Sequence, residues 1–138
     1  MAGYSGTPLV KKLGIKSGVS VLILEAPKGY AKTLGPLPDG AVVAKGPKPG
    51  LDFIHLFTTK RTDLERRFAA LQKALAPAGM LWVSWPKKAS GVATDVTEDV
   101  VREVALARGL VDVKVCAVDE TWSGLKLVRR LRTDDQRG

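Results

Sequence analysis

The chain has 138 residues, 45% of them hydrophobic, with 22 basic and 14 acidic side chains and a net charge of +8. That length makes one domain, large enough for its own core. A single cysteine excludes a disulfide scaffold, and no apolar run approaches the roughly 18 residues that a membrane span needs.

In chain order, the first element is a short helix with Thr7 as cap, Pro8 in its first turn and Gly14 at its exit. Val19–Leu24 is nearly continuous in apolar, β-branched character and predicts a strand covered on both faces. A short helix over Lys28–Leu34 follows, then a break at Gly35–Gly40. Ala41–Lys45 and Leu51–Phe57 read as strands two and three. The Gly46-Pro47-Lys48-Pro49-Gly50 loop between them has no room for a helix.

Thr62 and Glu65 have capping-box spacing, and Leu64, Phe68, Leu71 and Leu75 then share one helical face. Ala76–Gly79 ends that helix and Met80–Trp85 is strand four. A second helix starts near Asp95, carries Val100, Val101, Val104 and Ala105 as its stripe, and stops at Gly109. Val111–Asp119 and Leu125–Leu131 are strands five and six, joined by a tight turn and therefore antiparallel. The order gives an α/β fold: a mostly parallel, Rossmann-like, three-layer sheet of about six strands with the last one antiparallel. Residues 1–131 form the single domain and 132–138 a polar, disordered tail.

Met1–Lys16 has no apolar core behind a basic start, so the expected location is the cytoplasm. Cys116, inside an alternating apolar run, reads as a small buried hydrophobe. His55, between Ile54 and Leu56, reads as a hydrogen-bonded core histidine and not as a triad member.

Two phrases resemble class I methyltransferases. Lys16-Ser17-Gly18-Val19-Ser20-Val21-Leu22 is similar to the approach to their first strand, and Leu75-Ala76-Pro77-Ala78-Gly79-Met80-Leu81 to the L-x-P-G-G-x-L approach to a later one. A closer resemblance is to a bacterial family of unknown function. It rests on the opening Gly3-Tyr4-Ser5-Gly6-Thr7-Pro8-Leu9, on Trp85-Pro86-Lys87-Lys88-Ala89-Ser90-Gly91 with Thr94-Asp95, and on Asp119-Glu120-Thr121-Trp122-Ser123-Gly124-Leu125-Lys126. It implies a reduced Rossmann or methyltransferase-like fold and no reaction.

Nucleotide cofactors need a glycine-rich turn after the first strand and an acid after the second. Here the turn reads Glu25-Ala26-Pro27-Lys28-Gly29-Tyr30, and the second strand ends in Ala44-Lys45. No cofactor is therefore expected. One His and one Cys are too few for a zinc site, so no metal is expected either.

Ligands of open α/β sheets sit beyond the strand carboxyl ends. Those ends offer Glu25, Lys28 and Tyr30; Thr58, Thr59 and Lys60; Trp85, Lys87, Lys88 and Ser90; and Asp119, Glu120 and Trp122. The candidate ligand or interaction site is Tyr30, Trp85, Lys87, Lys88, Ser90, Asp119, Glu120 and Trp122. Lys87 and Lys88 precede a helix start, a setting for an anion, although Asp95, Glu98 and Asp99 are there to pair with them. Trp122 reads either as a cap on the sheet or as a contact surface.

These residues point first to a non-enzymatic binding or interaction module on a degenerate Rossmann-like scaffold, with a protein or a small anionic ligand as partner. The alternative is an enzyme acting on a small anionic substrate among Lys87, Lys88, Asp119, Glu120 and Trp122. A third reading is a basic protein associated with nucleic acid, weakened by the scatter of basic residues from Lys11 to Arg137. No membrane partner is expected, and self-association stays open.

Overall fold

The computed structural model describes residues 7–130. The start of the opening motif, Leu131 of the expected sixth strand and the expected tail over 132–138 lie outside them. The elements are α1 (Leu9–Leu13), β1 (Ser20–Leu24), α2 (Tyr30–Leu34), β2 (Val42–Val43), β3 (Leu51–Phe57), α3 (Arg61–Ala74), β4 (Leu75–Pro86), α4 (Glu98–Leu106), β5 (Leu110–Ala117) and β6 (Trp122–Arg129), with a 3₁₀ turn at Lys88–Ser90.

One six-stranded sheet runs in the order β2-β1-β3-β4-β6-β5. The pairs β1–β2, β1–β3 and β3–β4 are parallel, and β6 is antiparallel to both β4 and β5. The fold is thus a mostly parallel α/β sheet with one reversed strand. That strand does not sit at the edge: β6 folds back between β4 and β5 and leaves β5 outermost.

Alternation along each strand sends side chains to opposite faces. Leu22, Ile54, Leu56, Leu81, Val83, Trp85, Leu125 and Leu127 meet α3 and α4 through Leu64, Phe68, Leu71, Val101, Val104 and Ala105. Val21, Phe53, Phe57, Trp82 and Cys116 meet α1 and α2 through Leu9, Leu13, Tyr30 and Leu34. The Trp82 indole N–H donates to the Leu13 carbonyl at 2.9 Å, which anchors α1 to the sheet. On β6, Gly124 makes room for that layer: a Cβ there would lie 2.8 Å from Ser84 Oγ and 3.2 Å from the Trp82 ring.

The capping box at Thr62 and Glu65 does not form. α3 begins at Arg61, whose backbone N–H is taken by Asp95 Oδ1 at 2.7 Å, and Glu65 instead pairs with the Arg61 side chain. α4 begins at Glu98, later than expected, because Thr97 is its cap and accepts from the Val100 N–H.

The second strand shrinks to two residues, level with Ser20 and Val21 of β1. A parallel connection ordinarily needs about a dozen residues. The short stretch 44–50 suffices here because β2 stops low on the sheet and the return path is correspondingly short. It crosses beside α3, where Pro47 and Pro49 face Ala70 and Ala74. In consequence β2 does not reach the level of Leu24, where β1 ends.

Candidate functional site

The carboxyl ends of β1 and β3, the first two turns of α3 and the start of β6 enclose a pocket of about 360 Å³. It is lined by Glu25, Phe57, Thr58, Thr59, Asp63, Arg66, Arg67 and Trp122. Each element contributes for a local reason. Glu25 leaves β1 at φ 58, the one left-handed non-glycine among the described residues, a conformation that costs about 1–3 kcal/mol. Its carboxylate then meets Arg67 at 2.7 Å.

Asp63, Arg66 and Arg67 lie outside the core stripe of α3, with Arg67 half-buried beside it. Asp63 accepts from Arg66 at 3.0 Å, and that guanidinium holds the Asp63 carboxyl below its ordinary range. Trp122 closes the far wall, its ring edge-on to Phe57 with centroids 5.2 Å apart. The pocket therefore offers two guanidinium groups, two carboxylates, two threonines and an aromatic wall.

Of the eight residues singled out in the sequence, Trp122 lines this pocket. Tyr30 is buried against Phe57 and His55. Trp85 is buried in the α3–α4 core. Lys87 donates through Nζ to the Asp119 carbonyl at 2.8 Å and through its backbone N–H to the Thr121 carbonyl at 2.7 Å, so both loops emerge from the same rim. Asp119 Oδ1 accepts from the Thr121 and Trp122 N–H groups at 2.8 and 2.7 Å and shapes the turn. Ser90 donates to the Lys87 carbonyl and accepts from the Val92 N–H. Lys88 and Glu120 are exposed.

The expected pairing of Lys87 and Lys88 with the acids of the second helix is corrected by the same contacts. Asp95 caps α3, and Glu98 and Asp99 both bind Arg102. The loop over 85–91 also ends well before Glu98, so it does not sit on the start of α4.

Glu25, Thr58 and Thr59 were legible as strand ends. Asp63, Arg66 and Arg67 were not, because on an amphipathic helix they read as its solvated side. Their spacing at i, i+3 and i+4 is the signal that could have drawn them together.

Behind the pocket lies a buried polar chain. The Tyr30 hydroxyl is 2.8 Å from His55 Nδ1, and His55 Nε2 is 2.7 Å from Ser84 Oγ. A neutral imidazole has one donor and one acceptor nitrogen, which matches a hydroxyl on each side. Burial lowers the His55 pKa to about 3 and raises that of Tyr30. Among the described residues no cluster of three or more His, Cys, Asp or Glu could hold a metal ion. No helix among them is long and apolar enough to cross a membrane.

No family model and no curated protein matches the sequence. Solved structures do match the fold. A SAM-dependent methyltransferase from Aquifex aeolicus superposes with a TM-score of 0.62 at 17% identity, covering 86% of each chain. A putative type 11 methyltransferase from Sulfolobus solfataricus gives 0.56 at 15% identity, over 81% of this chain and 85% of that one. A TehB-like SAM-dependent methyltransferase from Corynebacterium glutamicum gives 0.56 at 15% identity, over 88% and 85%. The chain thus has a methyltransferase-like α/β fold. This likeness corrects the expectation of a non-enzymatic module, because the scaffold is one that solved methyltransferases share along nearly its whole length.

Proposed function

We propose that the chain is an enzyme that binds a small anionic substrate in the pocket between β1, β3, α3 and β6. The observation that carries this is the left-handed Glu25, paired with Arg67 at the mouth of a pocket that also holds Arg66. Backbone strain of that kind persists where the surroundings enforce it, and it concentrates at functional sites. A carboxylate or phosphate entering the pocket competes with Glu25 for the Arg67 fork, which suits planar, bidentate anions. Glu25, released from Arg67, then stands beside the substrate with a free carboxylate, in the position of a general base. Trp122 and Phe57 form the apolar side of the pocket.

The fold's relatives are named for S-adenosylmethionine (SAM), and the residues here do not fit that group. In the turn after β1, Pro27 has no N–H and the Tyr30 N–H is already bonded to the Pro27 carbonyl at 3.1 Å. β2 ends below the rim, and Ala44-Lys45 supplies no carboxylate for ribose hydroxyls. The resemblance to a bacterial family of unknown function belongs to this proposal too, since two of its segments, 85–91 and 119–126, meet at the same rim.

Thermal unfolding in a panel of small carboxylates, phosphates, SAM and its demethylated product tests the reading. A ligand at 100 times its Kd adds about 2.7 kcal/mol. Arg67→Ala should abolish the response and Glu25→Gln should strengthen it by removing the competitor. Silence across the panel overturns the proposal, and a response to SAM alone overturns the argument against that cofactor.

A further inference from the structure

Basic residues that are scattered in sequence gather on one side of the sheet. We propose that the face carrying α1 binds the phosphate backbone of a nucleic acid through Lys12, Lys114 and Lys126. This surface is separate from the rim pocket and stands or falls independently of it.

Lys114 of β5 is directly opposite Lys126 of β6, and Lys126 is opposite Trp82 of β4. Side chains opposite one another share a face, and α1 sits on the Trp82 face. Lys12 of α1 completes the group: its Nζ donates to the Ala117 carbonyl at 3.4 Å, and Lys114 Nζ donates to the Lys12 carbonyl at 3.3 Å. Among the described residues none of these three ammonium groups reaches a carboxylate. The ion pairs lie elsewhere, on Arg61, Arg66, Arg67 and Arg102. α1 and α2 add Lys11 and Lys32 to the same layer and contain no acidic residue.

Like charges directly opposite on antiparallel strands destabilise a sheet. Here the cost is kept with no counter-charge beside it, which a polyanion would supply. Lysine is a point charge without the planar fork that reads base edges, so the contact is to phosphate and independent of sequence. A lipid surface fits less well, because Leu9 and Leu13 of α1 are buried and leave it no large apolar side chain to insert.

Fluorescence anisotropy of a labelled mixed-sequence duplex, titrated at rising salt, provides the test. Binding should weaken steeply with salt, with a Kd on the order of 10⁻⁴ to 10⁻⁶ M at physiological ionic strength. Each of Lys12→Gln, Lys114→Gln and Lys126→Gln should flatten the log–log slope by about 0.9, and the triple variant by about 2.7. The thermal midpoint of each variant should be equal to or above that of the parent. Lys45→Gln with Lys48→Gln, on the β2–β3 connection, should leave the slope unchanged. Absence of salt-dependent binding, an unchanged slope in the single variants, or binding to anionic vesicles but not to the duplex overturns the proposal.

Discussion

At the scale of single residues, His55 carries the clearest pH signature. It is fully buried, held between the Tyr30 and Ser84 hydroxyls, and stacked on Phe57 at a centroid distance of 4.1 Å. Its pKa falls from the usual 6.5 to about 3 because burial penalises the charged ring. Between those values the unfolded chain binds a proton that the folded chain refuses. Stability from this residue is therefore complete above pH 6.5 and declines as pH falls, by about 1.4 kcal/mol per unit. Urea unfolding between neutral and mildly acidic pH should show a steeper loss in the parent than in His55→Gln. Parallel slopes would mean that the imidazole titrates freely and that the buried chain is not as described. The core role of His55 was legible because an isolated histidine between Ile54 and Leu56 has nowhere polar to go. Its partners were not, since Tyr30 and Ser84 lie 25 and 29 positions away. Tyr30 looked like a rim residue because it follows β1 closely, and the turn at Gly29 then directs it inward onto Phe57.

Elements follow the sequence where their signals are local. The bounds of β3 match the run Leu51–Phe57, and the apolar stripe of α4 is the buried one at Val101, Val104 and Ala105. Helix starts depart from it because two residue types competed for each cap. Thr97, not Asp95, caps α4, while Asp95 reaches across to the first N–H of α3. One short stretch thereby caps two helices, and no local spacing rule could assign the second. Replacing either side chain should free a helix-start N–H and cost about 1 kcal/mol. Thr97→Ala and Asp95→Ala should each lower the urea midpoint by a comparable amount without changing the slope m. A silent Asp95→Ala with a costly Thr62→Ala would restore the capping box and refute the long-range cap. The rim pocket belongs to this scale too. It exists because α3 starts two residues after Thr59 and so brings Asp63, Arg66 and Arg67 back over the strand ends.

For the whole molecule, the decisive feature is the position of β6. A tight turn after β5 requires an antiparallel partner, which the sequence shows. The side on which that partner lies depends on β4, whose exposed edge accepts β6 from Leu81 to Pro86. β6 is consequently the joint between a parallel half, β2-β1-β3-β4, and an edge strand, β5, that has no other strand neighbour among the described residues. It also delivers Leu125 and Leu127, both fully buried, to the α3–α4 core, and Trp122 to the pocket. Burying one such leucine contributes about 1.5–3 kcal/mol, against a typical domain stability of about 5–15 kcal/mol. Loss of two of them, of β5's only pairing and of the cover over β4 exceeds what the remaining sheet can absorb. A chain ending at Asp119 should therefore show no cooperative unfolding transition in urea, although α1–α4 are all retained. A sharp transition with a near-parental m would mean that the parallel half folds alone, and β6 would then be an appendage to the domain instead of its joint.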